Sequence, residues 1–254
     1  VHLDNSAENI IAMCSIVFAG AVAVVSDPLL SNDDILRRIR DSNATYILTT
    51  QSEASRFIDM LDMLDIKGCF TTGTAPGFVS VRKFNKLDEN SYEELPVENV
   101  KNEVAVLVYS SGTTGIPKAI ELTHMSLMSC IPRPRFPNVC NDYNIIVFRT
   151  PITSSTGFRT FLQAWASGAT IVLLARTASN TDILDAITKY KATTLLGNLP
   201  MMLALAKKIQ EKCIRLDSLK NVCLSGTIVT YESMRQLEPS FDLAMIRNVY
   251  GSAE

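Results

Sequence analysis

Residues 104–118 read VAVLVYSSGTTGIPK, an apolar run followed directly by hydroxyl residues, two glycines and one lysine. The run at residues 104–108 has the length and the β-branched content of a buried parallel strand. Gly112 and Gly115 can take backbone angles that are closed to other residues, so the chain can approach a ligand and its N–H groups can form an anion-binding nest. The segment therefore predicts a strand that delivers a phosphate-binding loop.

Two other interpretations of this loop fit the residues less well. The P-loop of nucleoside triphosphatases has its lysine directly after the second glycine, followed by Ser or Thr. Here Ile116 and Pro117 precede Lys118, and Ala119 follows it. A flexible Ser/Thr/Gly linker is the second possibility, but a linker does not require the strand-like segments that flank this loop on both sides.

The loop resembles the signature of the adenylate-forming (AMP-binding) enzyme superfamily, which includes acyl- and aryl-CoA synthetases and luciferases. That signature reads approximately Y/F-S/T-S-G-S/T-T-G-x-P-K-G and ends in S/T-H, and residues 109–124 follow it except at Ala119. We call residues 110–118 the signature loop. A second family motif, Y-G-x-T-E, is similar to the sequence YGSAE at residues 250–254.

The rest of the chain favours an α/β fold with largely parallel sheets covered by helices, because helical and strand-like segments alternate along it. The predicted helices are residues 8–18, a helix capped by residues 31–34 that runs to Ser42, and residues 181–190 and 201–208. The predicted strands are residues 21–25, 46–50, 169–174, 193–196, 221–224 and 244–249, with a polar, exposed connector at residues 88–102. The resemblance spans nearly the whole chain and implies part of the large N-terminal domain of an adenylate-forming enzyme. We expect residues 1–254 to be an incomplete large domain, without the N-terminal start and the C-terminal lid.

Composition restricts the class of protein and its partners. With 47% hydrophobic and 20% charged residues, 254 positions suffice for a substantial core, and a net charge of −2 gives no electrostatic reason to expect a nucleic-acid partner. Six scattered cysteines without a C-x-x-C pair indicate reduced thiols, and two histidines give little support for zinc. The apolar residues 10–25 are shorter than the ~20 that a membrane-spanning helix needs. We therefore expect an intracellular protein, cytoplasmic or peroxisomal, without a transmembrane segment, whose oligomeric state the sequence does not indicate.

The resemblance implies a two-step reaction. A carboxylic acid attacks the α-phosphate of ATP to give an acyl-adenylate and pyrophosphate, and coenzyme A then takes the acyl group, with Mg²⁺ as the metal. The implied nucleotide-binding residues are Ser110, Ser111, Gly112, Thr113, Thr114, Gly115, Lys118, Gly226, Tyr250 and Gly251. Lys118 and Glu254 are the implied catalytic residues, with Glu254 as the magnesium ligand, and Ser154 and Gly157 border the implied acyl pocket. From the residues alone, Glu254 could instead be a solvated carboxylate and Tyr250 a core tyrosine.

The chain departs from the family pattern at three places. Ala253 stands where members carry a threonine, residues 225–229 retain only Gly226 of a glycine-rich segment, and residues 151–157 offer small hydroxyl residues where members often have histidine or an aromatic residue. Two alternatives to an acid–thiol ligase therefore stay open, a divergent non-catalytic nucleotide-binding relative and a luciferase-like monooxygenase. We also expect this chain alone to be inactive, because the resemblance implies that the lid is missing.

Overall fold

The computed structural model describes residues 1–110, 112, 115–131 and 142–251. Contacts within the chain divide it into two compact units. The first unit consists of Val1–Ser129 and Thr153–Ser155, and the second of Cys130–Ile152 and Thr156–Ser252.

The first unit contains two three-stranded sheets and the helices around them. Its strands are β1 (Ala23–Val24), β2 (Tyr46–Thr49), β3 (Gly68–Thr71), β4 (Val79–Ser80), β5 (Val104–Tyr109) and β6 (Ala119–Thr123). Its helices are α1 (Ala7–Phe18), α2 (Asn32–Ser42), α3 (Ala54–Leu61) and α4 (His124–Met128), with short 3-10 helices at Val81–Lys86 and Glu89–Ser91. One sheet has the order β1-β5-β6, in which β1 is parallel and β6 antiparallel to β5, and the other has the order β2-β3-β4 and is parallel throughout.

The segment around His2 lies between these two sheets. His2 forms parallel bridges to Ser26, just beyond β1, and to Thr49 in β2. The backbone N–H of His2 donates to the Leu48 carbonyl at 2.8 Å, and the Thr49 hydroxyl donates to the His2 carbonyl at 3.2 Å. Hydrogen bonding therefore continues from one sheet of this unit to the other.

Helix α2 begins and ends where its sequence predicts. The Ser31 hydroxyl accepts a hydrogen bond from the Asp34 N–H at 3.2 Å, which satisfies one of the unpaired donors at the helix start. Asn43 ends the helix in the left-handed conformation, with φ 50°. The buried side of the helix packs through Ile35 into a core with Phe57 and other apolar residues.

The second unit contains one five-stranded sheet, parallel throughout. Its strands are β7 (Ile145–Phe148), β8 (Thr170–Leu173), β9 (Thr194–Gly197), β10 (Asn221–Ser225) and β11 (Met245–Val249). Its helices are α5 (Ser155–Ala166), α6 (Asn180–Tyr190), α7 (Leu199–Lys212) and α8 (Tyr231–Leu237), with a 3-10 helix at Glu238–Ser240. The strand order is β11-β10-β9-β7-β8.

The strand order of this sheet reverses at β7. The chain passes from β7 to β8 on one side and then crosses to β9 on the other side of β7. Because such crossovers are right-handed, α5 lies on the opposite face of the sheet from α6 and α7. By topology, the carboxyl ends of β7 and β9 are the position at which open parallel sheets are expected to bind ligands.

The core of the second unit explains why β7 is central. Its consecutive residues Ile146, Val147 and Phe148 are each 0% exposed, and because side chains alternate along a strand, both faces of β7 are covered. Val147 belongs to an apolar cluster with Ile187 of α6 and Met202 of α7. Each such side chain contributes about 1.5–3 kcal/mol when fully buried.

The apolar residues 10–25 do not form one long helix. They are divided between α1, which ends at Phe18, and the short strand β1. The predicted helix at residues 8–18 is confirmed, whereas the predicted strand at residues 21–25 is shorter than expected. Within the part of the chain that the structure describes, no helix has both the length and the apolar character needed to cross a bilayer.

Candidate functional site

The signature loop connects the two antiparallel strands β5 and β6. Tyr109 and Ala119 are the last paired residues of the two strands. Beyond them, the Ser110 N–H donates to the Lys118 carbonyl at 2.9 Å, and the Lys118 N–H donates to the Ser110 hydroxyl at 3.0 Å. These two hydrogen bonds close the neck of the loop, so both of its ends are fixed by the sheet.

Inside the loop, the backbone requires glycine at position 112. Gly112 has φ +74°, and a Cβ atom built there would lie 2.6 Å from the Gly115 carbonyl oxygen and 3.0 Å from the Pro117 ring. The Gly115 N–H donates to the Gly112 carbonyl at 3.0 Å, and Gly115 itself has φ +138°. At the described positions 112 and 115, the backbone therefore has conformations that favour glycine, and an anion-binding nest in the loop stays a prediction.

The Lys118 side chain is exposed and makes no salt bridge to any residue that the structure describes. It is therefore available to an anionic ligand near the loop neck. Ser111, Thr113 and Thr114 lie outside the described residues, so their predicted contacts with phosphate stay predictions.

In the second unit, the carboxyl ends of β10 and β11 bring together two of the predicted nucleotide-binding positions. Ser225 pairs with Val249, so Gly226 and Tyr250 each follow directly after neighbouring parallel strands. Gly226 has φ +78°, and the Tyr250 ring is 100% exposed. Among the residues that the structure describes, the Tyr250 side chain does not pack into a core, and its proposed stacking on a flat base stays a prediction.

Gly251 follows Tyr250, and a Cβ atom at this position would meet no other atom within 4 Å. Close packing therefore does not explain the glycine at this position. Glu254, the predicted magnesium ligand, lies outside the described residues. Among the residues that the structure does describe, no group of three or more His, Cys, Asp or Glu side chains could hold a metal ion.

The predicted acyl-pocket residues lie where the chain leaves β7. Ser154 directly precedes α5, and Gly157 is buried in the first turn of that helix. The contacts assign Ser154 to the first unit and Gly157 to the second. Both positions thus belong to the connection that leaves the sheet at its reversal point, and their role in binding an acid stays a prediction.

The sequence analysis missed Asn198, at the carboxyl end of β9. Its side-chain oxygen accepts from the Met201 N–H at 2.9 Å, and the Thr227 hydroxyl accepts from the Leu199 N–H at 3.4 Å. Pro200 has no N–H to donate, so the first amides of α7 are already satisfied within the chain. The start of α7 is therefore a structural junction and not an open anion site.

Arg149, the first residue after β7, also escaped the sequence analysis. Its Nη2 donates to the Arg176 carbonyl, in the connection after β8, at 2.9 Å. The bond holds together the two connections that follow β7 and β8 and places two cationic residues at this edge of the sheet. No local motif marks either arginine, since their proximity depends on the pairing of β7 with β8.

Comparison with known proteins gives consistent results. A family model described as AMP-binding enzyme matches residues 1–254. A 4-coumarate–CoA ligase from Vanilla planifolia is 25% identical over 261 residues, which cover 100% of this chain and 47% of the relative. The chain thus spans about half the length of the relatives it matches.

Solved structures match at lower identity and therefore bear on the fold alone. A long-chain-fatty-acid–CoA ligase from Archaeoglobus fulgidus superposes with TM-score 0.87 at 19% identity, covering 98% of this chain and 52% of that one. A red-emitting luciferase from Phrixothrix hirtus gives TM-score 0.84 at 18% identity, covering 96% and 48%.

Proposed function

This chain belongs to the AMP-binding enzyme family, and from that membership we propose that it is part of an enzyme that activates a carboxylic acid with ATP and transfers the acyl group to coenzyme A. The observation that carries the proposal is the match of the family model to all 254 residues. The closed signature loop and its exposed lysine supply the chemical support.

In the proposed first step, a carboxylate oxygen of the acid attacks the α-phosphorus of ATP, and the bond to pyrophosphate breaks. Negative charge develops on the pyrophosphate as it leaves. The Lys118 ammonium is suited to stabilise that charge, because a fixed donor needs no reorganisation during the reaction. The Ser110, Gly115 and Lys118 N–H groups already donate within the loop, so any backbone donors to the phosphate would be other N–H groups of the signature loop. A magnesium ion held by Glu254 would neutralise further charge on the same group.

In the proposed second step, the coenzyme A thiolate attacks the acyl carbonyl and AMP leaves. Tyr250 and the glycines Gly226 and Gly251 would bind the adenine, since an exposed aromatic ring beside positions without side chains leaves room for a flat base. Ser154 and Gly157 would border the acyl group.

The identity of the acid can be tested by comparing aromatic acids with long-chain fatty acids as substrates. The relative from Vanilla planifolia is named for 4-coumarate, and the small residues at positions 153–157 would leave space for a bulky or aromatic acid. We therefore expect an aromatic acid to be a better substrate than a long-chain fatty acid.

ATP–pyrophosphate exchange tests the proposed activation. The whole protein that contains residues 1–254 should exchange label only in the presence of an accepted acid, with 4-coumarate and a long-chain fatty acid in the panel. Lys118→Ala should lower the exchange rate by about a hundredfold, as expected for the loss of one stabilising donor. Lys101→Ala, an exposed lysine outside the signature loop, is the matched control and should leave the rate unchanged. No exchange with any acid would refute the activation step.

A non-catalytic nucleotide-binding relative is the second candidate, because Ala253 lacks the hydroxyl that family members carry at this position. In that case the protein should bind ATP without exchange under any acid, and Ala253→Thr should tighten binding. Loss of one hydrogen bond to a charged group costs about 1.5–3 kcal/mol. An unchanged dissociation constant in Ala253→Thr would remove this residue as the explanation.

We further propose that residues 1–254 are an incomplete large domain and that this chain alone has negligible turnover. An antibody against the exposed connector at residues 88–102 should detect a native protein about twice the 28.0 kDa of this chain. A band at 28.0 kDa would favour the non-catalytic candidate. Rapid acyl-adenylate formation by residues 1–254 would contradict the expected inactivity.

A further inference from the structure

Arg38 of α2 holds the ring at the end of β5 in two ways. The carbon at the centre of its guanidinium group lies 4.3 Å from the centroid of the Tyr109 ring, a cation–π distance. The Tyr109 hydroxyl donates to the Arg38 carbonyl at 2.9 Å. Tyr109 is only 8% exposed, so its ring is largely shielded from water while it makes both contacts.

This arrangement is costly for Arg38. The side chain is half-buried, and its buried Nε has no hydrogen-bond acceptor among the residues that the structure describes. Burial lowers the pKa of the guanidinium below its usual value. An apolar residue of similar size would avoid this desolvation cost, so packing alone does not explain an arginine at this position.

The consequence of the contact lies one residue further along the chain. Tyr109 and Ala119 form the last pair between β5 and β6. Ser110 and Lys118, which close the neck of the signature loop, follow directly. The Tyr109 ring thus lies next to the two hydrogen bonds of the neck along the chain, where its position can affect them.

We propose that Arg38 is a positioning residue, whose guanidinium clamps the Tyr109 ring and thereby fixes the neck of the signature loop for an anionic ligand. The effect on nucleotide binding rests on the proposed function, but the effect on the loop neck does not. Arg38 is not among the predicted ligand-binding residues, and the proposed effect passes through its contacts with Tyr109.

Hydrogen exchange at the Ser110 and Lys118 amides reports directly on the neck, because both N–H groups are donors in it. Arg38→Met keeps an unbranched side chain but removes the charge, and should speed exchange at both amides by about five-fold, as expected for a cation–π contact. Arg38→Lys retains the cation and should stay within about two-fold of the parent. Arg40→Met, an exposed arginine of the same helix, is the matched control and should change neither amide.

Hydrogen exchange at amides inside β5 shows whether Arg38→Met affects only the loop neck or loosens the whole strand. Exchange at Val106 and Val108 should be unchanged in Arg38→Met, and an equal acceleration there would overturn the proposal. Unchanged exchange at the Ser110 and Lys118 amides in Arg38→Met would also overturn it. So would equal exchange rates at these amides in Arg38→Met and Arg38→Lys, because the charge would then have no effect.

Two further measurements complete the test. If Arg38→Met does not fold, Tyr109→Phe replaces it, because it keeps the ring and loses only the bond to the Arg38 carbonyl. It should speed exchange at the neck by about two- to five-fold, and no change would count against the clamp. ATP titration should show about five-fold weaker binding in Arg38→Met. If the whole protein that contains residues 1–254 binds no ATP while the neck exchange still responds to Arg38→Met, the positioning role stands and the proposed function fails.

Discussion

Replacing Gly112 with alanine should disrupt the signature loop through two separable costs. The first is backbone strain, because an L-residue at φ +74° costs about 1–2 kcal/mol. The second is a steric clash, since the added Cβ would lie 2.6 Å from a backbone carbonyl oxygen and 3.0 Å from a proline ring. Neither neighbour is the flexible end of a side chain, so relief requires a backbone shift that costs about 1–3 kcal/mol.

Gly77 provides a control for the strain alone. Its φ of +76° matches that of Gly112, yet a Cβ atom at Gly77 would meet nothing within 4 Å. Gly77→Ala should therefore lose about 1–2 kcal/mol of unfolding free energy and leave ATP affinity unchanged. Gly112→Ala should lose about 1–3 kcal/mol more of unfolding free energy than Gly77→Ala, and its dissociation constant for ATP should rise at least tenfold.

Urea denaturation of both variants measures the stability difference, and titration with ATP measures the affinity. Equal losses of stability in the two variants would show that the loop yields freely to the added methyl group. If ATP affinity were also unchanged in Gly112→Ala, the assignment of the loop as a rigid anion cradle would be wrong.

The other predictions use the same urea measurements. Gly197→Ala should lower the free energy of unfolding by less than Gly112→Ala does. The added Cβ atom at position 197 would overlap the Met201 methyl group, but that methyl can rotate away and a backbone carbonyl cannot. A larger loss in Gly197→Ala would contradict this reasoning. Arg56→Lys should lower the free energy of unfolding by about 2 kcal/mol. The guanidinium of Arg56 donates to two backbone carbonyls, one side-chain amide and one carboxylate, a set that an ammonium cannot match. A loss below about 0.5 kcal/mol would show that an ammonium replaces these four bonds. Ser179→Ala should lower the free energy of unfolding at neutral pH, because Ser179 and Asp182 form a reciprocal cap on α6 and hydrogen bonds from Ser179 hold the Asp182 pKa below its usual value. A carboxyl group whose pKa is depressed by folding stabilises the fold above its usual pKa and loses that contribution as the pH falls through the folded value. The difference between Ser179→Ala and the parent should therefore shrink in acid, and a difference that stays constant as Asp182 is protonated would contradict this reasoning.

The elements that the sequence predicted have local signals. The apolar run before the signature loop is confirmed as β5, and the alternating segments after residue 168 are confirmed as β8, α6, β9, β10 and β11, with boundaries that differ by one or two residues. The polar interval at residues 88–102 is confirmed as an exposed segment that contains only a short 3-10 helix. In each case hydrophobic periodicity or composition agreed with the final environment.

Two of the missed elements, β3 and α5, depend on distant partners, whereas β7 was missed although its apolar, β-branched residues are a local signal. Strand β3 is four residues long and begins with glycine, so its strand character comes from pairing with β2 and not from local preference. Helix α5 begins in a run of small hydroxyl residues and Gly157, a composition typical of a loop, yet Phe158 and Phe161 are both buried one helical turn apart. Burial of that face outweighs the weak local preference.

In the candidate site, too, features with local signals were predicted and contacts between distant residues were not. The glycine pattern of the signature loop predicted its tight backbone, which the positive φ angles of Gly112 and Gly115 confirm. The contact between Arg38 and Tyr109 could not be predicted, because it joins residues 71 positions apart. The start of α7 was placed at Met201 because the capping role of Asn198 was overlooked, although an Asn two residues before a Pro is a recognisable signal for a helix start.

The hairpin geometry of the signature loop determines how it can hold charge. In a P-loop the phosphates sit at the beginning of a helix and gain from the helix macrodipole, but here the chain continues into β6, a strand with almost no net dipole. The attraction for a polyphosphate must then come from individual N–H groups and from a solvent-exposed ammonium. Exposed charges are screened within about 10 Å at 0.1 M salt. If the signature loop binds a nucleotide as proposed, ionic strength should control its affinity more strongly in this protein than in a P-loop protein, and a rise in salt concentration should release the nucleotide.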